Sequence, residues 1–312
     1  MELNKRPLFS VLMANYNNAN YIKESIESVI NQTYNNWELV IIDDCSTDNS
    51  LELLDKYEDK RIKIYHQNRN MGCGFSKHHA AKLANGEILA FLDPDDTLHK
   101  DALQIMVDSH IENPKICLIN SDHYVCDENL AIKRLSYGAS EIPKTENYLT
   151  YAKGITAFAS FKKEAYQNSL GINPNFRRAV DQDLYYKLEE QGETKFIDIP
   201  LYYYRIHTKG ISTFDNLSKS RYWLVKAKED AYKRRKSNSG IKNIRKSELR
   251  AWWSILFASK ASDALRYNNY CGFIYWLFKS FVKSPFDKYW ILKSKAIIVN
   301  TYLHRALKKV NG

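Results

Sequence analysis

Three polar runs combine residue types that could do chemistry: Asn15-Tyr16-Asn17, Asp43-Asp44-Cys45-Ser46-Thr47-Asp48 and Asp93-Pro94-Asp95-Asp96. Asp, Asn and Ser favour turns and helix caps, so the first two runs alone read equally well as turns. The third is different, because three carboxylates within four residues repel one another unless a cation compensates. In an extended segment, residues 93 and 95 point to the same side. Pro94 ends ladder pairing and fixes φ. Two carboxylates on one side form a hard oxygen site suited to Mg²⁺ or Mn²⁺, with a diphosphate supplying further oxygens. An all-oxygen site does not suit structural zinc.

The elements needed to position these runs are legible. Apolar runs at 9–14, 38–43, 61–65, 87–93 and 115–120 read as strands. Helical spacing falls between them at 21–30, after Asp48 (capped by Asp48 or Ser50), at about 76–85 and at 100–111. Strands alternating with helices imply an α/β fold with a mostly parallel sheet and helices on both faces. In such sheets a ligand sits outside the carboxyl ends of the strands, where all three polar runs fall. From 122 to 214 the alternation loosens, with a strand at 155–161, a helix at 181–191 and a β-rich stretch at 197–206 broken by Pro200. After 215 the pattern is helical, at 217–236, 244–268, 270–283 and 288–309. No internal repeat is visible.

Together these runs resemble family 2 glycosyltransferases of the GT-A fold. The resemblance rests on Ser10 to Asn17, the Asp43-Asp44 run, Asn70-Met71-Gly72-Cys73-Gly74, the segment from Gly86 to Asp96, and Asp181-Gln182-Asp183-Leu184. It covers residues 8–210. It implies a Rossmann-like nucleotide-sugar-binding sheet followed by a helical C-terminal region. A catalytic domain would occupy 1–214, its donor half at about 1–120 and its acceptor half at about 121–214. By resemblance, Tyr16 packs on the nucleotide base and Asp44, with Asp43 beside it, accepts from uracil. Asn15 and Lys77 join this donor-binding set. Asp93 and Asp95 form the D-x-D motif that holds Mn²⁺ or Mg²⁺ and the ribose–diphosphate, and Asp181 is the general base. His207, in Tyr204-Arg205-Ile206-His207, is implied as a further metal ligand, against an ordinary loop histidine.

Three positions depart from the family pattern. Ala14 stands where Pro is usual. Lys77 replaces a common Arg and loses its bidentate fork. Val180 stands where Glu commonly precedes the base. Asp183 competes with Asp181 as base, and a helix starting near 181 would turn the two to different faces. His78 and His79 read as a solvated helix surface.

The implied chemistry is an inverting transfer, by one in-line displacement at the anomeric carbon. One carboxylate takes the acceptor hydroxyl proton while a metal neutralises the departing diphosphate. The expected activity is transfer from a UDP-sugar to a hydroxyl of a lipid-linked surface glycan. The enzyme rival, a metal-dependent nucleotidyltransferase, would need a basic, Gly-rich loop after the first strand, where this chain has Asn15-Tyr16-Asn17-Asn18. A dehydrogenase would need G-x-G-x-x-G there. The non-enzyme rival is a nucleotide-sugar binding protein without turnover, to which Val180 is the pointer.

Charge divides the 312 residues unevenly. Residues 1–214 carry 24 Lys+Arg against 30 Asp+Glu, a net of −6, whereas 215–312 carry 22 against 6, a net of +16. Five of the six Trp, at 223, 252, 253, 276 and 290, also follow 214. The basic, aromatic region reads as an anionic membrane surface anchor with 270–282 as the inserting part. The alternatives are a helical cap or a nucleic-acid surface, of which nucleic acid is not the expected partner. No apolar run reaches the roughly 18 residues of a membrane span. The start lacks a leader-like apolar region. Cys45, Cys73, Cys117, Cys126 and Cys271 read as reduced thiols. The expected location is cytoplasmic, peripheral on the inner face of the plasma membrane.

Overall fold

The first strand, β1 (Phe9–Asn15), is almost wholly buried, as a near-continuous apolar run in the middle of a parallel sheet must be. It pairs in parallel with β2 (Trp37–Asp43) on one side and β4 (Ile88–Phe91) on the other, and β2 pairs in parallel with β3 (Ile62–His66). Between them run α1 (Ile22–Ile30), α2 (Ser50–Leu54) and α3 (Cys73–Leu83). The chain continues through β5 (Thr97–Leu98), α4 (Ala102–Glu112), β6 (Ile116–Cys126), β7 (Ile132–Leu135), β8 (Ala159–Lys162), α5 (Lys163–Asn168), α6 (Val180–Glu189) and β9 (Glu193–Arg205). This computed structural model describes residues 6–136, 138–151, 154–208, 210, 216–237 and 246–284. They contain one nine-stranded sheet in the order β3-β2-β1-β4-β8-β6-β9-β5, with β7 on β6. β8, β5 and β7 run antiparallel to their neighbours, so the sheet is mixed.

Alternation along the strands divides the core into two layers. Val11 and Met13 of β1 and Leu39 and Ile41 of β2 pack with Ile22 and Ile26 of α1 and Leu103 and Met106 of α4. The opposite face, carrying Phe91 and Phe161 with ring centroids 5.9 Å apart, is covered by α3, whose Lys77 lies over the Phe91 ring. α3 in turn meets α6.

Pro200 does not break the last strand as expected. β9 runs through it, and the missing N–H is absorbed by register shifts on either side of Asp122, the residue facing Pro200. β5, β7 and α5 were not foreseen, being two to six residues long with no period to read.

The chain forms two compact units, Met1–Thr208 and Lys209–Gly312. In the second, the described helices are α7 (Leu217–Ser237), α8 (Lys246–Arg266) and α9 (Tyr270–Lys283). The helix expected at 288–309 lies outside the described residues. Aromatics join these helices: Trp253 meets Phe257, which stacks on Trp276 at 5.7 Å. Lysines snorkel over rings of these helices, Lys260 over Trp276 at 4.4 Å and Lys228 over Trp252 at 4.7 Å. Burial pulls the Lys228 ammonium down to about 8, against the pull of Glu248.

Candidate active site

From β1 the chain moves outward to β2 and β3, then returns to β4 on the other side of β1. The sheet therefore has a switch point at β1, and a crevice opens beyond the carboxyl ends of β1, β2 and β4. The loops leaving β1 and β2 are laced together across that crevice. Asp43 accepts from Asn15 Nδ2 at 2.8 Å and from the amide and hydroxyl of Ser46 at 2.9 and 2.6 Å. Ser46 Oγ accepts from the Asn17 amide at 2.9 Å, and Asn17 Oδ1 accepts from the Thr47 amide at 2.7 Å. Two residues hold left-handed backbone here, Asn17 at φ 57° and Cys45 at φ 63°. Such strain persists only where surrounding bonds over-determine it, as they do in this loop pair. Asn15 and Asp43 are fully buried, so they set the shape of the loops and present no surface to a ligand. Tyr16, between them in sequence, is turned outward and 46% exposed.

Asp44 spans from β2 to the start of α3. Its Oδ1 accepts from the Met71 amide at 2.7 Å and Gln67 Nε2 at 3.0 Å, and its Oδ2 from the Gly72 amide at 2.7 Å. Burial raises its pKa by more than these donors lower it. Gly72 sits at φ +91°, where a side chain would be strained. Gly74 touches the segment before α6: its amide donates to Phe176 O at 3.0 Å, and a Cβ there would lie 2.2 Å from that oxygen. The glycine spacing in Gly72-Cys73-Gly74 thus fixes the approach of α3 to the segment leading into α6.

The Asp93–Asp96 segment is a turn, not the extended stretch expected. The Asp96 amide closes it onto Asp93 O at 3.1 Å, with Pro94 supplying the preset φ. Asp93 and Asp95 consequently have different partners. Asp93 pairs with the Lys77 ammonium at 2.9 Å, and Asp95 Oδ2 meets His207 Nε2 at 2.9 Å. Lys77 is buried; burial pulls its pKa down, but Asp93, Cys73 and Asp181 outweigh this and hold it well above the usual range. Asp96 is buried beneath the turn, accepting from the Arg205 amide at 2.7 Å and the Tyr202 hydroxyl at 2.8 Å. Burial, followed by the Asp95 and Asp93 charges, pushes its pKa well above the usual carboxylate range.

Arg205 is the residue the sequence did not single out. Its guanidinium donates to Asp95 O at 2.6 Å, to Glu128 O and to Glu24, and lies over the Tyr21 ring at 4.6 Å. The Tyr21 ring also meets the His207 imidazole, with centroids 4.7 Å apart. The Tyr-Arg-x-His pattern was visible; that its Arg holds the Asp93–Asp96 turn required the end of β9 to be placed beside β5.

Across the crevice, α6 brings in the two candidate bases. Asp183 is buried and paired with Lys187 at 2.6 Å, and Lys187 also donates to Gly171 O. No hydrogen bond among the described residues engages the Asp181 carboxylate, which is half-buried. Its charge is felt by Cys73, Lys77, Tyr148 and Tyr185, so it faces the same space as the Lys77–Asp93 pair. Val180 beside it is buried in the core. His78 and His79 are half-buried on α3, and His79 lies between the Phe75 and Tyr65 rings, so neither is the solvated histidine expected.

The donor types fit a divalent ion. Among the described residues no three His, Cys, Asp or Glu side chains converge on one point. Asp95 and His207 do converge, at the separation expected of neighbouring ligands around an octahedral ion with bonds of about 2.1 Å. A carboxylate with an imidazole suits Mn²⁺ better than Ca²⁺.

Known proteins resemble this chain in sequence and in fold. The chain is 26% identical to TuaG of Bacillus subtilis, named for teichuronic acid biosynthesis, over 71% of its own length and 88% of TuaG. It is 30% identical to the chondroitin synthase of Escherichia coli over 67% of its length, but spans only 30% of that larger protein. Among solved structures, Staphylococcus aureus TarS in complex with UDP-GlcNAc superposes with a TM-score of 0.57 at 17% identity, over 88% of this chain and 92% of that one. The mannosyltransferase PcManGT of Pyrobaculum calidifontis, in complex with GDP-Man and Mn²⁺, does so with a TM-score of 0.51 at 15% identity, over 91% and 89%. The fold is the GT-A fold, with a helical region following it. The family described as glycosyl transferase family 2 matches residues 10–170, which take in the laced loops, the Gly72–Gly74 approach and the carboxylate turn, and the chain belongs to that family.

Proposed function

We propose that this glycosyltransferase moves a hexose, with inversion, from a UDP-sugar to a hydroxyl of a lipid-linked surface glycan. The observation that carries the proposal is the state of Asp181: a carboxylate with no hydrogen-bond partner among the described residues, facing the Lys77–Asp93 pair across the α3–α6 contact. Asp183, sealed in its pair with Lys187, has no comparable access.

The roles follow from exposure and bonding. The outward ring of Tyr16 stacks on the nucleotide base. Asp44 Oδ2, which accepts the Gly72 amide, keeps acceptor capacity for the uracil N3–H. Asn15 and Asp43 hold these two in register from below. Asp95 and His207, with Asp93 beside them, hold Mn²⁺ or Mg²⁺. The ion supplies charge neutralisation for the departing diphosphate. Lys77 adds a fixed positive charge at Asp93. Asp181 takes the acceptor proton as the hydroxyl attacks the anomeric carbon from the face opposite the diphosphate.

Two likenesses support the donor class: TarS is seen with UDP-GlcNAc, and PcManGT with a nucleotide sugar and Mn²⁺. The names of TuaG and the chondroitin synthase support a polysaccharide acceptor. A lipid-linked acceptor places the enzyme on the inner face of the plasma membrane, which the net charge of +16 over 215–312 favours. No helix among the described residues is long and apolar enough to cross a membrane.

The test is UDP release from a panel of UDP-sugars with Mn²⁺, Mg²⁺ or EDTA, with and without membrane extract. Metal-dependent release from one donor, increased by extract, is the expected result. Tight UDP binding with no release under any of these conditions would refute turnover, and absence of UDP binding would refute the donor assignment.

A further inference from the structure

α9 presents an apolar stripe to the outside of its helical hairpin. Tyr270, Ile274, Phe278 and Val282 recur every fourth residue and are 57%, 66%, 65% and 59% exposed. At about 100° per residue they form an arc roughly 120° wide. The opposite side is fixed to α8: Ser280 Oγ donates to Ser254 O at 2.8 Å, and Trp276 stacks on Phe257. Side-chain capping of the Gly272 amide by Asn269 at 2.8 Å secures the start of the helix. The rotation of α9 is therefore set, and the stripe faces away from its own packing partner.

Charge identifies what the stripe meets. Residues 270–284 contain Lys279 and Lys283 and no acid, and Lys279 follows the edge of the arc by about 60°. The described residues of 216–284 carry 14 Lys+Arg against 4 Asp+Glu. A second copy would bring the same positive charge to the contact and be repelled, whereas anionic headgroups are attracted. The helix of 14 residues is about 21 Å long, short of the roughly 30 Å of a bilayer core, so it lies along the surface.

We propose that α9 lies flat in the boundary between headgroups and acyl chains of an anionic bilayer, with Tyr270, Ile274, Phe278 and Val282 inserted and Lys279 at the lipid phosphates. This deepens the membrane reading above, and its test needs neither sugar donor nor acceptor, so it can fail while the transferase reading stands.

The experiment uses the full chain with vesicles of phosphatidylcholine alone or mixed with phosphatidylglycerol. Cys271, exposed on the same arc, reports insertion through its labelling by a water-soluble maleimide, read on its own peptide. Expected are flotation with the phosphatidylglycerol vesicles only, protection of Cys271 in their presence, and loss of binding by about tenfold or more in the Ile274→Glu/Phe278→Glu variant. The circular dichroism and thermal unfolding of the variant stay those of the wild type, which shows that it is folded. Equal binding by variant and wild type would overturn the proposal, as would absence of flotation. Protection of Cys271 without vesicles would also overturn it, since a second copy or another part of the chain would then cover the stripe.

Discussion

Gly74→Ala tests how the segment before α6 is held against α3. A Cβ at 74 would stand 2.2 Å from Phe176 O and 2.8 Å from Asn173 O, where ordinary contact begins near 3.4 Å. Both obstacles are backbone atoms, so no side chain can swing away, and the gap must open by about 1 Å. Such overpacking costs about 1–3 kcal/mol of stability. The more telling effect is on geometry, because Phe176 lies five residues before Asp181. A displacement of about 1 Å at a reacting group lowers turnover by roughly 10²-fold. Gly86→Ala is the control. Its Cβ would meet Ser10 Oγ at 2.5 Å and Leu8 O at 2.7 Å, a similar clash at the start of β4, away from the crevice. Thermal unfolding and kcat would be measured on both. Each is expected to lower Tm, but only Gly74→Ala is expected to lower kcat of the folded protein by about two orders of magnitude. If kcat of Gly74→Ala stays within about twofold of wild type, or if both variants lose it equally, the argument that this glycine positions the base is refuted.

Three further outcomes follow from the same bonds. Asp181→Asn is expected to lower kcat by about 10²–10⁴-fold with UDP affinity unchanged, as read by titration calorimetry, whereas Asp183→Asn strands the buried Lys187 charge and costs about 3–5 kcal/mol in urea unfolding. EDTA is expected to abolish UDP release, and His207→Ala to raise the Mn²⁺ concentration needed for half-maximal release by about 10–100-fold, with a lower Tm in EDTA as the Asp95 and Tyr21 contacts are lost. Burial pushes Glu38 up, but Lys63, Ser10 and Asn85 outweigh it and hold its pKa at about 2 against an ordinary 4.5; a depressed folded pKa gives stability that is complete above about 4.5 and lost as pH falls through about 2, so Glu38→Gln should flatten the fall in urea midpoint between pH 5 and 2.

What the sequence revealed and what it hid have separable physical causes. Long elements with a clear period, such as β1, β2, α1, α4 and α6, were legible because apolar spacing alone specifies them. β5 has two residues and no period, yet it carries the turn that sets the direction of Asp93 and Asp95. The identity of the carboxylates could be read in sequence; their partners could not. Whether Asp93 and Asp95 share a side depends on a turn at Pro94, and that turn is closed by Arg205 and Tyr202 from more than 100 residues later. Burial was equally hidden, since Asn15 and Tyr16 are neighbours in the same run, yet one is sealed and the other outward.

The crevice brings together Asp44, Asp93, Asp95, Asp96 and Asp181, and five carboxylates in one place must be compensated if the fold is to hold. Each of four has its own device. Asp44 takes two backbone amides and a glutamine. Asp93 has the buried Lys77, Asp95 has His207, and Asp96 is buried with a pKa raised towards its neutral form. The Lys77 ammonium meets one Asp93 oxygen while lying over the Phe91 ring. Asp181 has no such device of its own; it stands on the first turn of α6, where the helix dipole favours a negative charge but supplies no proton donor from a side chain. Among the described residues it is the one carboxylate of the cluster without a hydrogen-bond partner, which suits the proposed acceptance of a proton from an incoming hydroxyl. That difference in bonding, more than its place in the sequence, is what favours Asp181 as the proposed base.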